Sequence, residues 1–217
     1  MTDGGPARFI SFEGIDGSGK STQARLLADH LRAQGRDVVL TREPGGSPGA
    51  EEIRRLVLTG DPDRWSAQTE LLLFTAARRD HVERTIRPAL ARGATVITDR
   101  FADSTRLYQG ARSGLRDTVD RLHDLMIGIE PDRTFIIDMD PELALRRAQV
   151  RATDGPGGAA PAAGDVADEM RFEDFGLDFQ VQLRAGFRAL AAAETRCVLI
   201  DGDRAPEDVA SDVAARL

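Results

Sequence analysis

Phe9-Ile-Ser-Phe-Glu13 runs directly into Gly14-Ile-Asp-Gly-Ser-Gly19-Lys20-Ser21, and a helical pattern follows from Ser21 to Gln34. An apolar run, then G-x-x-x-x-G-K-[ST], then a helix is the order a phosphate-binding loop requires. Gly14, Gly17 and Gly19 let the backbone turn so tightly that successive N–H groups face one anion. The helix N-terminus adds the positive end of its dipole. Lys20 brings a mobile point charge to β- and γ-phosphates, and the Ser21 hydroxyl can ligate Mg²⁺.

Outward from this loop, the chain alternates. Strand-like runs at Phe9–Glu13, Asp37–Thr41, Ala94–Asp99, Thr134–Asp138 and Cys197–Asp201 are rich in Val, Ile and Phe with little alternation. Such runs suit parallel strands covered on both faces. Helical patterning occupies Ser21–Gln34, Ala50–Leu58, Ser66–Arg92, Leu115–Ile129, Pro141–Arg151 and Phe172–Ala193. Ser66 reads as an N-cap, Pro141 and Pro206 as first-turn residues, and Gly35 and Gly93 as helix stops. Pro88 should kink or divide its helix. The pattern predicts a doubly wound α/β domain with five parallel strands, and ligands at their carboxyl ends.

Composition narrows the chemistry. Of 29 basic side chains one is a lysine, Lys20, and the other 28 are arginines. The Asn-Lys-x-Asp base motif of GTP switches therefore cannot exist here, and a protein-kinase lysine would lie on a different strand. Cys197 is the sole cysteine, and His30, His81 and His123 lack ligand spacing and read as ordinary helix histidines. HExxH is absent from the sequence. A net charge of −7 argues against broad nucleic-acid or anionic-membrane binding. Apolar and charged contents of 41% and 30%, with no secretion signal and no spanning run, place the chain among cytoplasmic globular enzymes.

Two further segments should line the same crevice. Asp99-Arg-Phe-Ala-Asp-Ser104-Thr-Arg-Leu-Tyr-Gln109 begins at the end of a buried run, where Asp99 can reach Mg²⁺ and Arg100 follows into the crevice. Alone, Asp-Arg after a strand reads equally as a structural salt bridge; beside the loop it gains weight. Thr41-Arg-Glu-Pro-Gly-Gly46, with Glu43, follows the second strand in a similar position. In Leu71-Leu-Leu-Phe-Thr-Ala-Ala-Arg78, Leu72 and Leu73 read as packing, whereas Phe74 and Arg78 share one helix face. Thr153–Ala167 breaks the pattern: 11 of its 15 residues are Gly, Ala or Pro. It reads as a flexible tip (153–167) of a lid over about 146–173, bracketed by Arg146, Arg147, Arg151 and Arg171.

FEGIDGSGKST, TREPGGS, LLLFTAAR, DRFADST with YQG, and PDRTFIIDMDPELALRR together resemble bacterial thymidylate kinases, in the family's order and over nearly the whole chain. The resemblance implies one domain over 1–217 with the nucleoside-monophosphate-kinase fold, a cytoplasmic homodimer, and phosphorylation of dTMP to dTDP by ATP with Mg²⁺. It assigns ATP to Gly14, Ile15, Asp16, Gly17, Ser18, Gly19, Lys20, Ser21, Thr22 and Arg147, and Mg²⁺ to Ser21 and Asp99. It assigns dTMP to Asp16, Glu43, Arg54, Phe74, Arg78, Arg100, Ser104, Thr105, Tyr108 and Gln109. Within that set, Phe74 would stack on thymine, Gln109 and Thr105 would meet the base edge, and Tyr108 would crowd the ribose 2′ position. Asp16 would hold the 3′-hydroxyl side, with Arg54, Arg78 and Arg100 around the acceptor phosphate.

Some family members carry an arginine after the loop aspartate. Gly17 stands there in this chain, which resembles the class whose lid supplies the catalytic cation. Arg151 best matches that role, with Arg147 as second choice, so the catalytic set reads Lys20, Arg100, Arg151 and Asp16. Met170 stands where an aspartate is common, so Arg171 and Glu173 read equally as lid contacts or a solvated helix start. Another small-acceptor P-loop kinase and a non-catalytic ATP-binding module remain as alternatives at this point.

Overall fold

In the computed structural model, which describes residues 8–61, 64–154 and 176–217, five strands form one parallel sheet in the order β2-β3-β1-β4-β5. They are β1 (Phe9–Glu13), β2 (Val38–Arg42), β3 (Thr95–Asp99), β4 (Arg133–Asp138) and β5 (Cys197–Asp201). Central β1 pairs with β3 on one side (Phe12 against Asp99) and with β4 on the other (Phe12 against Phe135). All five residues of β1 are buried, as a central strand covered on both faces must be.

Helices α1 (Lys20–Ala33) and α9 (Pro206–Ala215) cover one face, where Leu27, Ala28 and Leu31 meet Ile10, Phe12 and Phe135, and Val209 and Val213 complete the layer. On the other face lie α5 (Ala102–Ser113) and α8 (Gly176–Ala193), with α3 (Ala67–His81) and α6 (Arg116–Met126) packed on α5. There Phe9, Val96 and Phe101 form one cluster, and Ile136, Leu183 and Phe187 another. Helix α2 (Pro48–Leu58) packs on α3 through Val57, Leu58 and Phe74. Helix α7 (Pro141–Asp154) follows β4.

Most predicted punctuation holds. Ser66 Oγ accepts from Thr69 N at 3.2 Å, and Gly35 and Gly93 end their helices at φ 80° and 85°. Two expectations are corrected, and one helix is unforeseen. The helix around Pro88 divides earlier than the proline: a π-helical turn at Val82–Ile86 separates α3 from α4 (Arg87–Ala91), with Pro88 in the first turn of α4. Pro88 cannot donate to the Arg84 carbonyl and its ring crowds it, so the wider turn falls just before. Leu72, read as packing, is 57% exposed. Helix α5 was not legible, because Asp103, Ser104, Thr105 and Gln109 turn polar groups inward and blur its apolar stripe.

Candidate active site

The carboxyl ends of β1, β2, β3 and β4 open into three adjoining cavities. The largest, about 490 Å³, lies between Gly17–Gly19, Thr22 and Gln23 of the loop and Arg146, Arg147, Gly202 and Arg204. A narrow slot of about 80 Å³ lies between α3 and α5. Between them, a polar cleft holds Lys20, Ser21, Arg42 and Asp99. The cleft shares Gly17, Gly19 and Thr22 with the large cavity, and Asp16, Glu43, Arg54 and Arg100 with the slot. The three therefore form one passage.

The loop is built as its glycines dictate. Gly14 has φ 137°, and a Cβ there would sit 2.6 Å from the Ile137 carbonyl oxygen. Gly17 has φ 79°, and a Cβ there would fall 2.0 Å from the Ala144 carbonyl oxygen of α7. Helix α7 thus closes on Gly17 and leaves no room there for a side chain. Lys20 Nζ donates to the Ile15 carbonyl at 2.7 Å, curled within the loop while its methylene stem is buried.

Ser21 Oγ makes a short hydrogen bond to Asp99 Oδ2, while Asp99 Oδ1 is buried with no hydrogen-bond partner among the described residues. A hydroxyl and an orphaned carboxylate oxygen beside a phosphate loop suit Mg²⁺, which takes few protein oxygens and completes its shell with phosphates and water. Among the described residues no group of three or more His, Cys, Asp or Glu could hold a metal by itself.

All ten residues assigned to dTMP line the slot. Arg100 has φ 67°, unique among the described non-glycine residues, and this turns its guanidinium across the strand ends to pair with Asp16. Its Nη1 donates to Ser104 Oγ at 2.9 Å and to the Gly14 carbonyl at 3.2 Å. Tyr108 Oη donates to Asp16 Oδ2 at 3.0 Å, and Gln180 Nε2 reaches the same oxygen at 3.3 Å. Burial opposes the Asp16 charge, but Arg100 and Lys20 hold its carboxyl below the ordinary range.

The turn at Arg100 rests on Glu13. Its Oε1 accepts from Phe101 N at 2.8 Å, and its Oε2 accepts from Ser104 Oγ at 2.6 Å, so a carboxylate from β1 caps α5. Complete burial, with Asp103 nearby, raises its pKa from 4.5 to about 7. Glu43 is also buried. Its burial is outweighed by Arg78 and His81, which hold its carboxyl below the ordinary range. His81, read as an ordinary helix histidine, lies fully buried between Glu43 Oε1 (2.9 Å) and Thr41 Oγ1 (2.8 Å).

Sequence reasoning thus missed Glu13, Gln180, the positioning part of His81, and Arg204 in the large cavity. Glu13, a charge closing an apolar strand, carried a signal; Gln180, on a helix distant in sequence, carried none. Arg147 lines the large cavity, and its Nη2 stands 3.8 Å from Asp203. The Arg151 side chain, the lid tip from 155 to 167, Met170, Arg171 and Glu173 lie outside the described residues.

The family model described as thymidylate kinase matches residues 12–213. The chain belongs to the thymidylate kinase family. It is an ATP-dependent nucleoside monophosphate kinase, a P-loop phosphotransferase. A thymidylate kinase of Dinoroseobacter shibae is 67% identical over 214 residues, covering 98% of this chain and 97% of the relative. One from Ruegeria pomeroyi is 64% identical, covering 96% and 93%. A crystal structure of thymidylate kinase from Ehrlichia chaffeensis superposes with a TM-score of 0.74 at 35% identity, over 98% of this chain and 99% of that one.

Proposed function

We propose that this thymidylate kinase transfers the γ-phosphoryl group of ATP to the 5′-phosphate of dTMP along the passage described above, giving ADP and dTDP. The carrying observation is the central cleft, where Lys20, Arg54 and Arg100 converge between a loop-lined cavity and a base-sized slot. ATP fits the large cavity with its phosphates on Gly14–Thr22. Phe74, on the wall of the slot, stacks on thymine, and Asp16 takes the 3′-hydroxyl side of the acceptor. Tyr108, locked against Asp16 and Arg100, crowds the 2′ position.

Two polyanions must approach closely, so the chain's work is positioning and charge compensation rather than covalent chemistry. Lys20 leaves the Ile15 carbonyl for the transferring group, and Arg54, Arg78 and Arg100 hold the acceptor phosphate. Arg151, or else Arg147, supplies the lid cation. Ser21 and Asp99 would hold Mg²⁺, which when bound would offset phosphate charge.

The assembly we infer is a homodimer. Leu56 of α2, Leu72 of α3, and Leu125 and Met126 of α6 are 40%, 57%, 76% and 44% exposed on helices that adjoin through α3. No helix among the described residues is long and apolar enough to cross a membrane, and ATP and dTMP as substrates favour the cytoplasm. An ADP-release assay over a panel of nucleoside monophosphates tests the function. Turnover with dTMP is expected, weaker turnover with dUMP, which lacks a methyl worth about 1 kcal/mol, and none with purines. Equal turnover of dTMP and dGMP contradicts the slot.

A further inference from the structure

Gln23 stands on α1 one residue after Thr22 and is 4% exposed. Its Nε2 donates to the Pro206 carbonyl at 3.0 Å, across 183 residues of chain. Pro206 opens α9 and closes the connection, residues 202–205, that leaves β5. The other end of this connection is tied to β4, because Gly202 N donates to the Asp138 carbonyl at 2.8 Å. No side chain fits at Gly202, where a Cβ would fall 2.6 Å from Ile137 Cγ2. Gly202, Arg204 and Pro206 form one wall of the cavity of about 490 Å³, and Gln23 lines it next to Thr22.

We propose that Gln23 is a positioning residue for the phosphoryl donor, which by holding the Pro206 carbonyl fixes the wall against which the donor's base lies. This rests on ATP occupying the large cavity and deepens that reading. With the phosphates on Gly14–Thr22, the lining left for the base includes Gly202, Arg204, Pro206 and Val209. A carbonyl only accepts, so the Gln23 amide must turn its NH₂ to Pro206. Its Oε1 is then buried with no hydrogen-bond partner among the described residues. Such an oxygen lowers stability, and an apolar side chain of similar length would not carry that penalty. The Pro206 carbonyl also lies in the first turn of α9, where the helix offers it a partner four residues on. Glutamine is therefore a poor choice for the fold alone. What it supplies is a directed bond from the helix that leaves the phosphate loop to the segment that walls the base. The two ends of the donor are thereby held at one spacing.

A probe without a base separates this role from a disturbed phosphate loop. Binding of ATP and of inorganic tripolyphosphate, each with Mg²⁺, is measured by calorimetry for wild type, Gln23→Met and Gln23→Leu. Steady-state kinetics and thermal unfolding accompany it. Both substitutions remove the donor to Pro206 and the unpaired oxygen together. The expected result is a Kd and a KM for ATP raised about three- to tenfold, as loss of one hydrogen bond allows. Tripolyphosphate affinity, KM for dTMP and kcat at saturating ATP should each stay within about twofold of wild type. The midpoint of unfolding should be unchanged or higher. Gln23→Leu provides the same reading should Gln23→Met not fold. ATP affinity retained in a folded variant overturns the role of Gln23. Equal weakening of ATP and tripolyphosphate also overturns it, because the phosphate loop has then moved. Failure of both variants to fold does so too, because the side chain then serves the fold. A wild type that forms no dTDP from ATP and dTMP overturns instead the functional reading itself.

Discussion

Arg78 Nε donates to Glu43 Oε2 at 2.7 Å, and both side chains are buried. His81 holds the other oxygen of the same carboxylate, and Thr41 holds His81. The end of β2 is thereby wired to an arginine in the wall of the slot between α3 and α5.

Substituting Glu43 should separate these effects. Glu43→Ala leaves a buried guanidinium without its counter-charge and should cost about 3 kcal/mol in chemical denaturation. Glu43→Gln keeps the shape and should raise KM for dTMP several-fold with a smaller change in kcat. Because the Glu43 pKa is lowered on folding, its stabilising contribution is present above the ordinary value of 4.5 and is lost as pH falls through the folded value.

Glu13 titrates in the opposite sense. Its folded pKa of about 7 lies above the ordinary 4.5, so its contribution is complete below 4.5 and is lost as pH rises through 7. Glu13→Gln removes that dependence while keeping an acceptor for Phe101 N. The variant should match wild type near pH 5 and exceed it by roughly 1–3 kcal/mol near pH 8 in urea unfolding.

The lid cation is tested by turnover. Arg151→Ala should leave KM for dTMP nearly unchanged and lower kcat by about 10³-fold or more, as loss of an arginine finger does. Near wild-type kcat in Arg151→Ala, with the loss appearing in Arg147→Ala, moves the role to Arg147.

The homodimer is tested by Leu72→Glu, which places a charge on the exposed apolar face of α2, α3 and α6. Wild type should elute at twice the chain mass of 23.6 kDa in light scattering, and the variant at the chain mass.

The strands and phosphate loop were legible because central parallel strands are apolar throughout and the loop's chemistry is local. All five strands were found, with ends shifted by at most one residue; β2 is Val38–Arg42 rather than Asp37–Thr41. Contacts that join distant segments were not legible. No local pattern announces that Glu13 caps a helix beginning at Ala102, or that Gln180 touches Asp16. Helix α5 was hidden for a related reason, since its polar side chains face a site rather than solvent. Leu72 erred the other way: helical periodicity shows that a residue is apolar, and only the tertiary arrangement shows that its face is left uncovered.

The most direct measurement follows the label from [γ-phosphate]-labelled ATP in the presence of dTMP, with wild type and Lys20→Ala compared. Label should pass to dTDP one-for-one with ADP in the wild type, and transfer should be abolished in a Lys20→Ala protein that still folds. Label released as inorganic phosphate, or dTDP formed at an undiminished rate by Lys20→Ala, would contradict transfer along the Lys20 cleft.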